Sequence, residues 1–456
     1  MPTIVERQSC YGSTMPTAPA PVTVSTPEGR FRGIAHATHA EFSSIEFCTI
    51  PGPFQDSRPR RGTPEERIDA TTAHPERVAL SVTTPPGAAF GDDLPVIVYV
   101  HGGSYDSGSH EEEDSQGPAM SRAGIIVVRL GYRTGLPGFA QFSDDEPQHY
   151  RGVADCQWGL EWVQRCIEYF GGDPTNITLV GQSAGAGIAL WLTRRDHYRG
   201  AFRRVVAMSP AYPRRPFAQR KGSLRRLLFT PITRRHLTEL HRTKPEALAR
   251  GYRRLRSRYF YDLALGPSAF AANELSNIPI LVTCTREECF EFVPAVRRLD
   301  ARGHGGMAVR VMAKTMGLEV PASSYLRSAR KVYGRREMSQ LISDASIRRW
   351  VSDTAENAPA QCWVLQYEGS DAHPMLHCDD LPLVFRPEPT RRSIHRIVVD
   401  FARGTMPAWP RYQRTDGRKV RVYDATSGEL RTESDPLKPV RLAFTHHIPW
   451  KSAGAR

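Results

Sequence analysis

The sequence predicts an α/β protein in which a central, mostly parallel sheet is flanked by helices. Short aliphatic runs alternate along the chain with segments whose apolar residues recur every three or four positions, which are the patterns of buried strands and of amphipathic helices. Two glycine-containing turns directly follow such runs. The motifs extend over most of the 456 residues, so one large domain is expected.

Six short runs are predicted to be strands because they are apolar and rich in β-branched residues. They are residues 96–100, 125–130, 177–180, 204–208, 278–284 and 362–366. Helical patterns separate them, and parallel neighbours need such crossover connections. The expected sheet is therefore largely parallel.

Two helices are predicted from the spacing of their apolar residues. The first carries residues that step by three and four, namely Val153, Cys156, Leu160, Val163, Ile167 and Phe170. Gly171 and Gly172 follow it and are expected to end it. The second covers residues 393–401 and also presents one apolar face. Both faces are expected to pack against the sheet.

A serine lies between a predicted strand and a helical pattern. The run 177–180 leads into Gly181-Gln182-Ser183-Ala184-Gly185, and such a sharp turn holds a serine hydroxyl exposed above the end of the strand. Glycine on both sides avoids clashes in a tight turn. Because a free hydroxyl is a weak nucleophile at neutral pH, this interpretation requires a base elsewhere in the chain.

A glycine loop follows another predicted strand. Residues 95–100 end directly in His101-Gly102-Gly103-Ser104-Tyr105. Glycines leave backbone N–H groups accessible, and such donors hold the negative oxygen that develops during acyl transfer. Together with the serine turn, the loop predicts an acyl-transfer hydrolase.

Several further blocks of the sequence follow one known pattern. They are residues 31–35, 130–139, 162–164, 170–174, 377–385, 401–404 and 409–412. Residues 170–174 read F-G-G-D-P, which is identical to one block of the pattern. Residues 377–385 read H-C-D-D-L-P-L-V-F, which is similar to the block H-G-x-E-L-P-Y-V-F. With the two glycine turns, these blocks resemble the type-B carboxylesterases, the group that includes the cholinesterases. The resemblance implies an α/β-hydrolase fold with a helical, lid-like excursion above the sheet.

The same resemblance implies a catalytic triad of Ser183, Glu288 and His377. Ser183 attacks the ester carbonyl, His377 acts as general base and then acid, and Glu288 orients the imidazole. Glu287 is the competing acid, because adjacent side chains point in different directions and only one of the two can face His377. His373 is the competing imidazole, but the block that follows residue 377 favours His377.

The oxyanion hole implied by the resemblance consists of the N–H groups of Gly103, Ser104 and Ala184. Two residues depart from the family pattern beside this machinery. Ser104 replaces a glycine, and Gln182 stands where glutamate is usual. The second change removes a buried negative charge next to the nucleophile.

The cysteines also depart from the family pattern. Cys289 follows the acid and Cys378 follows the histidine where glycine is usual, so the backbone there must avoid a positive φ or tolerate it at some cost. Arg77 occupies the place of a family cysteine, so the family's early disulfide is expected to be missing. The chain has eight cysteines and no C-x-x-C pair, which favours reduced thiols and a cytoplasmic location.

The charge is strongly positive and unevenly placed. The net charge is +13, and the segment 213–261 carries five pairs of adjacent basic residues. The resemblance implies that this segment is a basic helical insertion that forms a lid or a wall of the substrate pocket; the alternative is simply a solvated helical face. Residues 1–28 are expected to be a flexible segment, with an edge strand as the alternative, and residues 29–456 to form the single domain.

Other function classes lack a supporting pattern. The sequence has no apolar run of the roughly 20 residues that a membrane span needs, no aromatic and basic platform for specific nucleic-acid binding, and no predicted metal or cofactor site. The prediction is a cofactor-independent serine esterase acting on small, uncharged carboxylic esters through an acyl-enzyme. A catalytically silent interaction protein of the same fold and a basic surface-binding protein remain as alternatives. The oligomeric state stays open.

Overall fold

A computed structural model describes residues 19–334, 336–370, 372–388, 390 and 393–444. Its strands are β1 (Ala20–Thr26), β2 (Gly29–Ala35), β3 (Ala40–Ile45), β4 (Cys48–Thr49), β5 (Arg58–Pro59), β6 (Arg67–Asp69), β7 (Leu80–Thr84), β8 (Leu94–Val100), β9 (Ile126–Leu130), β10 (Gly172–Gln182), β11 (Arg204–Met208), β12 (Ile280–Thr285), β13 (Cys362–Glu368), β14 (Lys419–Asp424) and β15 (Leu430–Ser434). Helices fill most of the intervals between the later strands.

In the described ranges, every α-helix follows β8. They are α1 (Pro118–Arg122), α2 (Gly135–Phe139), α3 (Arg151–Cys166), α4 (Ala184–Leu192), α5 (Lys221–Leu228), α6 (Arg234–Thr243), α7 (Pro245–Arg258), α8 (Pro294–Ala301), α9 (Gly305–Met312), α10 (Ala322–Tyr333), α11 (Glu337–Ser343), α12 (Arg349–Asn357), α13 (Asp380–Phe385), α14 (Ser393–Ala402) and α15 (Lys438–Ala443). No helix in the described ranges is both long enough and apolar enough to cross a bilayer.

One large mixed sheet organises the chain. Its strand order is β1-β2-β3-β7-β9-β8-β10-β11-β12-β13-β14-β15, and β6 pairs with β2. From β9 to β14 every neighbouring pair is parallel, whereas the pairs at both edges are antiparallel. The predicted α/β-hydrolase architecture, with a mostly parallel sheet between helices, is confirmed.

Each face of the sheet is covered by its own apolar layer. Along β8, Val96, Val98 and Val100 belong to one buried cluster with residues of α3 and α4. Ile97 and Tyr99 belong to another cluster with residues of α13 and α14. Because successive side chains of a strand alternate between faces, a continuous apolar run such as β8 supplies both layers.

The strands and helices predicted from the sequence are present with small shifts of their ends. Strand β11 has the predicted bounds, and β10 extends from residue 172 to 182 rather than from 177 to 180. Helix α3 ends before a 3-10 turn that is closed by Gly171 at φ 90°. Strand β14, which is parallel to β13, and the antiparallel edge strand β15 were not predicted, because charged residues interrupt their apolar residues.

The N-terminal boundary needs a correction. Residues 20–26 form β1, which pairs along its whole length with β2, so the flexible segment does not extend to residue 28. The alternating burial of β1 is that of an edge strand with one covered face. Residues 1–18 lie outside the described residues.

Two helical excursions rise from the carboxyl ends of the parallel strands. The basic segment 213–261 contains α5, α6 and α7, as expected. A second excursion, α8 to α11, follows β12 and has a small buried cluster of its own. The sequence analysis did not predict this second excursion.

Candidate active site

Ser183 lies on a sharp turn between the last residue of β10 and the first residue of α4, with φ 55° and ψ −117°. A Cβ atom on Gly181 would lie 2.3 Å from the carbonyl oxygen of Gly185, and one on Gly185 would lie 2.1 Å from that of Val100. Both positions therefore require glycine, as the turn in the sequence predicts.

The backbone of Ser183 is strained and is held by its neighbours. A residue in such a sparsely populated conformation costs about 1–3 kcal/mol and persists only where its surroundings enforce it. Here Ser183 N donates to Met208 O at 2.8 Å, and Ser183 O accepts from Gly187 N at 3.0 Å and from Ala211 N at 3.2 Å. The sheet and the helix thus fix the hydroxyl above the carboxyl end of β10.

Glu288 and His377 form a short hydrogen bond. His377 Nδ1 donates to Oε2 of Glu288 at 2.6 Å. The other carboxylate oxygen accepts from Ser209 Oγ at 2.7 Å and from Thr285 N at 2.8 Å, and the Glu288 side chain is fully buried. A carboxylate held at both oxygens fixes the tautomer and the orientation of the imidazole.

Glu287 points to a different part of the structure. Its carboxylate pairs with Arg286 and accepts from the backbone N–H groups of Gly369 at 3.2 Å and Met375 at 3.4 Å. It therefore fastens the loop that carries His377 and does not face the imidazole. The competing histidine, His373, is exposed in the same loop.

The charge state of His377 depends on two opposing effects. Burial lowers the pKa of His377, the negative charge and hydrogen bond of Glu288 raise it, and the net shift is upward from 6.5. The side-chain amide nitrogen of Gln182 lies 3.4 Å from His377 Nε2. Neutral imidazole that donates from Nδ1 presents a lone pair at Nε2, the atom a general base uses.

Ser183 and His377 line the same cavity but are not hydrogen-bonded to each other. Within the described residues, the Nε2 contact is with the amide of Gln182. Catalytic hydrogen bonds are often long in the absence of substrate and tighten in the complex. The structure thus brings the three predicted triad residues to one place, with the link between Glu288 and His377 already formed.

Of the three predicted oxyanion-hole residues, Ser104 lines the same cavity, and Gly103 and Ala184 are the sequence neighbours of the lining residues Ser104 and Ser183. Gly103 and Ser104 follow β8, and φ is 95° at Gly103 and 56° at Ser104. Over the described ranges, neither N–H group donates to a protein acceptor. Ala184 is the first residue of α4, where N–H groups have no partner within the helix and the helix dipole favours negative charge. These donors are free to bind an oxyanion.

Asp380 is a buried carboxyl group that the sequence analysis did not single out. Burial, together with the charge of Glu288, raises the pKa of Asp380 to about 7. Its Oδ2 accepts from Thr283 Oγ1 at 3.5 Å, and among the described residues its Oδ1 has no hydrogen-bond partner. The signal in the sequence was its position in the block 377–385, where the family pattern has glutamate.

The two cysteines that replace family glycines differ in backbone conformation. Cys378 has φ 76°, the left-handed region that glycine adopts freely, whereas Cys289 is not among the residues with positive φ. The Cys289 N–H group donates to Ser343 Oγ at 3.0 Å. Only the substitution at residue 378 therefore strains the backbone.

The cavity above Ser183 has a volume of about 520 Å³, within the range of small-molecule sites. Its wall is mainly apolar and comes from both helical excursions. The lining includes Tyr259, Phe260, Leu263, Phe292, Val293, Val296, Met312, Met316, Met338 and Ile342. Phe260 and Phe292 are 70% and 64% exposed and form part of its rim.

One cluster of metal-ligand side chains occurs in the described residues, at the turn between β2 and β3. The donor atoms of His36, His39 and Glu41 lie within 4.8 Å of one another. Glu41 pairs with Arg129 at 2.7 Å. Burial, followed by the charges of His36, Arg122 and Arg129, lowers the pKa of His39 to about 4. A cation would meet these guanidinium charges, so the cluster gives no basis for a metal site.

Comparison with known proteins gives one consistent result. Residues 78–229 match the sequence profile of the carboxylesterase family. The para-nitrobenzyl esterase of Bacillus subtilis is 26% identical over 390 residues, which cover 75% of this chain and 78% of that protein. A solved structure of a para-nitrobenzyl esterase superposes with a TM-score of 0.73 at 23% identity, over 92% of this chain and 99% of that one. Over most of its length the chain is therefore similar to a known esterase, and residues 78–229 carry the carboxylesterase profile.

Two further curated relatives match shorter stretches, and another solved structure superposes over most of the chain. The Caenorhabditis elegans esterase cest-33 is 34% identical over 167 residues, which span 36% of this chain and 29% of that protein. Mouse neuroligin-3 is 39% identical over 115 residues, which span 25% of this chain and 14% of that protein. The carboxylesterase EST55 of Geobacillus stearothermophilus superposes with a TM-score of 0.77 at 21% identity over 92% of this chain and 99% of that one. The family match and the esterase relatives support a carboxylic ester hydrolase.

Proposed function

We propose that the chain is a serine carboxylesterase in which Ser183 is the nucleophile, His377 the general base and acid, and Glu288 the acid that orients the imidazole. One observation carries this proposal: the 2.6 Å hydrogen bond between His377 and Glu288 lies at the wall of the cavity that Ser183 also lines. A hydroxyl, an imidazole and a buried carboxylate in this arrangement form the nucleophile, base and orienting group that acyl transfer needs.

In the first half of the reaction, His377 Nε2 takes the proton of Ser183 as its oxygen attacks the ester carbonyl. The N–H groups of Gly103, Ser104 and Ala184 stabilise the resulting oxyanion. Each such donor typically contributes about 3 kcal/mol of transition-state stabilisation. The carbon–oxygen bond to the alcohol then breaks, and the imidazolium returns the proton to the departing alkoxide.

In the second half, a water molecule replaces the alcohol. His377 takes a proton from the water, the hydroxide attacks the acyl-enzyme, and the same oxyanion donors act again. Collapse of the tetrahedral intermediate releases the carboxylic acid and returns the proton to Ser183. Glu288 stabilises the imidazolium each time it forms.

The mainly apolar cavity wall supports a proposal for the substrate class. Aromatic, aliphatic and methionine side chains line a volume of about 520 Å³, and the flexible thioethers of Met312, Met316 and Met338 adapt to different shapes. We therefore propose uncharged esters with an apolar acyl or alcohol group. In a series of nitrophenyl esters, kcat/KM is expected to rise with acyl length until the cavity is filled.

The central experiment measures turnover of nitrophenyl acetate and covalent labelling by an organophosphate. Wild-type protein is expected to hydrolyse the ester and to be labelled at Ser183 with loss of activity, and Ser183→Ala is expected to do neither. A folded wild-type protein that shows neither turnover nor label supports the silent interaction protein. Salt-dependent retention on anionic lipid that survives Ser183→Ala, without turnover, supports the basic surface-binding protein.

A further inference from the structure

The loop that carries two oxyanion donors has an unusual backbone. Three successive residues have positive φ: Gly103 at 95°, Ser104 at 56° and Tyr105 at 64°. Two of them are not glycine, and such residues keep a left-handed conformation only where their surroundings enforce it. The structure must therefore hold this loop from outside.

Part of that restraint comes from Tyr105. Its ring is fully buried against Phe139, and its hydroxyl donates to Ala211 O at 2.6 Å. The carbonyl oxygen of Tyr105 accepts from Gly135 N at 2.6 Å. These contacts fasten the loop to residues outside helix α7.

The second restraint is Asp106, whose side chain is only 8% exposed. Its N–H group donates to Gly103 O at 2.9 Å, which closes the turn around the donors. Its carboxylate accepts from the hydroxyl of Tyr252 and pairs with Arg256 Nε at 2.8 Å. Tyr252 and Arg256 are one helical turn apart on α7, so the same helix holds both oxygens of Asp106.

We propose that Asp106 is a positioning residue that couples helix α7 to the oxyanion hole. By fixing the carboxylate of Asp106, Tyr252 and Arg256 keep the N–H groups of Gly103 and Ser104 aimed into the cavity. The basic insertion then contributes to turnover itself, in addition to forming a wall. This proposal rests on the serine esterase function proposed above.

The contacts favour positioning over simple surface pairing. An exposed ion pair contributes little, but the carboxylate of Asp106 is nearly buried and both of its oxygens are occupied. Burial raises the pKa of Asp106, while Tyr252 and Arg256 act in the opposite direction. Loss of either partner leaves a desolvated carboxylate oxygen without a donor, and the loop moves to satisfy it.

The test compares Asp106→Asn, Tyr252→Phe and Arg256→Gln with the matched control Arg254→Gln, which changes an exposed arginine on the same helix. Nitrophenyl acetate is the substrate, because its small acyl group does not need the distant cavity wall. A trifluoromethyl ketone that adds to Ser183 as an oxyanion reports the oxyanion hole directly. Melting temperature and circular dichroism are measured for every variant.

We expect Asp106→Asn to lower kcat at least tenfold with less than a threefold change in KM. Its inhibition constant for the ketone should rise by the same factor by which kcat/KM falls, as required when only transition-state binding is lost. Tyr252→Phe keeps the ring and should lower kcat threefold to tenfold. Arg254→Gln should match the wild type within twofold.

Three results would overturn the proposal. The first is unchanged kcat in folded Asp106→Asn and Tyr252→Phe, and the second is a rise in KM alone, which would make Asp106 part of the substrate wall. The third is an unchanged inhibition constant for the ketone. If the wild type itself lacks turnover and Ser183 labelling, the esterase function fails and the positioning role fails with it, whereas an active wild type with equally active variants overturns the positioning role alone.

Discussion

The amide nitrogen of Gln182 lies 3.4 Å from Nε2 of His377. The residue next to the proposed nucleophile therefore touches the nitrogen that has to accept its proton. On the other side of the ring, Nδ1 donates to Glu288 at 2.6 Å. The imidazole is thus held between a neutral amide and a buried carboxylate, and its titration controls the proposed reaction.

The pH dependence follows from the direction of the pKa shift of His377. The pKa is raised from 6.5, and only neutral imidazole can accept the serine proton. Activity is lost as pH falls through the raised pKa, so kcat/KM for nitrophenyl acetate should rise with pH through one titration whose midpoint lies above 6.5. A midpoint below 6.5 would contradict this assignment.

The two adjacent glutamates should respond differently to loss of charge. Glu288→Gln removes the charge that stabilises imidazolium and should lower kcat by about 10³- to 10⁴-fold. Glu287→Gln weakens the attachment of the loop that contains Gly369 and Met375, so it should lower the melting temperature with a much smaller effect on kcat. Equal losses of kcat in two folded variants would leave the acid unassigned.

A charge introduced beside His377 should move the titration upward. In Gln182→Glu, a carboxylate within about 4 Å of the ring favours imidazolium, so the midpoint of kcat/KM should rise by about 1 pH unit or more. The control Gln182→Leu removes the amide contact without adding charge and should show no such rise. The measurement is a pH profile of nitrophenyl acetate hydrolysis for both variants.

Removal of the charge at Asp380 should move the titration of His377 to lower pH. The charge of Asp380 contributes to the raised pKa of His377, so Asp380→Asn should shift the acid limb of kcat/KM to lower pH. The side chain keeps its size and one acceptor, and the protein should stay folded at 25 °C. An acid limb that stays in place would show that Asp380 is already neutral where His377 titrates.

The positive φ at Cys378 predicts that glycine is more stable than alanine at this position. Glycine adopts φ 76° freely, whereas alanine at a left-handed position costs about 1–2 kcal/mol. Glycine loses more conformational entropy on folding, which offsets part of this difference. The free energy of unfolding of Cys378→Gly should therefore be about 1 kcal/mol larger than that of Cys378→Ala. At Cys289, which lacks a positive φ, alanine should be the more stable replacement.

Local patterns in the sequence predicted the parts of the fold that depend on nearby residues. The bounds of β11 and the glycines around Ser183 follow from apolar runs and turn geometry. The second helical excursion was missed because its small core joins residues far apart in the chain, such as Val309 and Leu341. The pairing of Asp106 with Tyr252 was missed for the same reason, since no spacing connects residues 146 positions apart.

In the candidate site, too, local sequence predicted some features, whereas contacts between distant residues were not predicted. Ser183, His377 and Glu288 were predicted because the blocks around them resemble a known family. The coordinates were needed to show what the carboxylate of Glu287 contacts instead. The contact of Gln182 with His377 depends on how two loops approach each other, which local sequence does not encode. Geometry between distant strands was therefore the part that the sequence left open.

The pocket wall and the reacting groups come from separate stretches of the chain. The proposed reacting groups follow β10, β12 and β13, while much of the wall comes from the helices inserted after β11 and β12. Exchange of α8 to α11 between relatives could therefore reshape substrate range while leaving the sheet and its reactive groups in place. Helix α7 is the exception, because Tyr252 and Arg256 on this helix contact Asp106. Under the proposal above, replacing α7 would change the rate of ester cleavage as well as which esters fit.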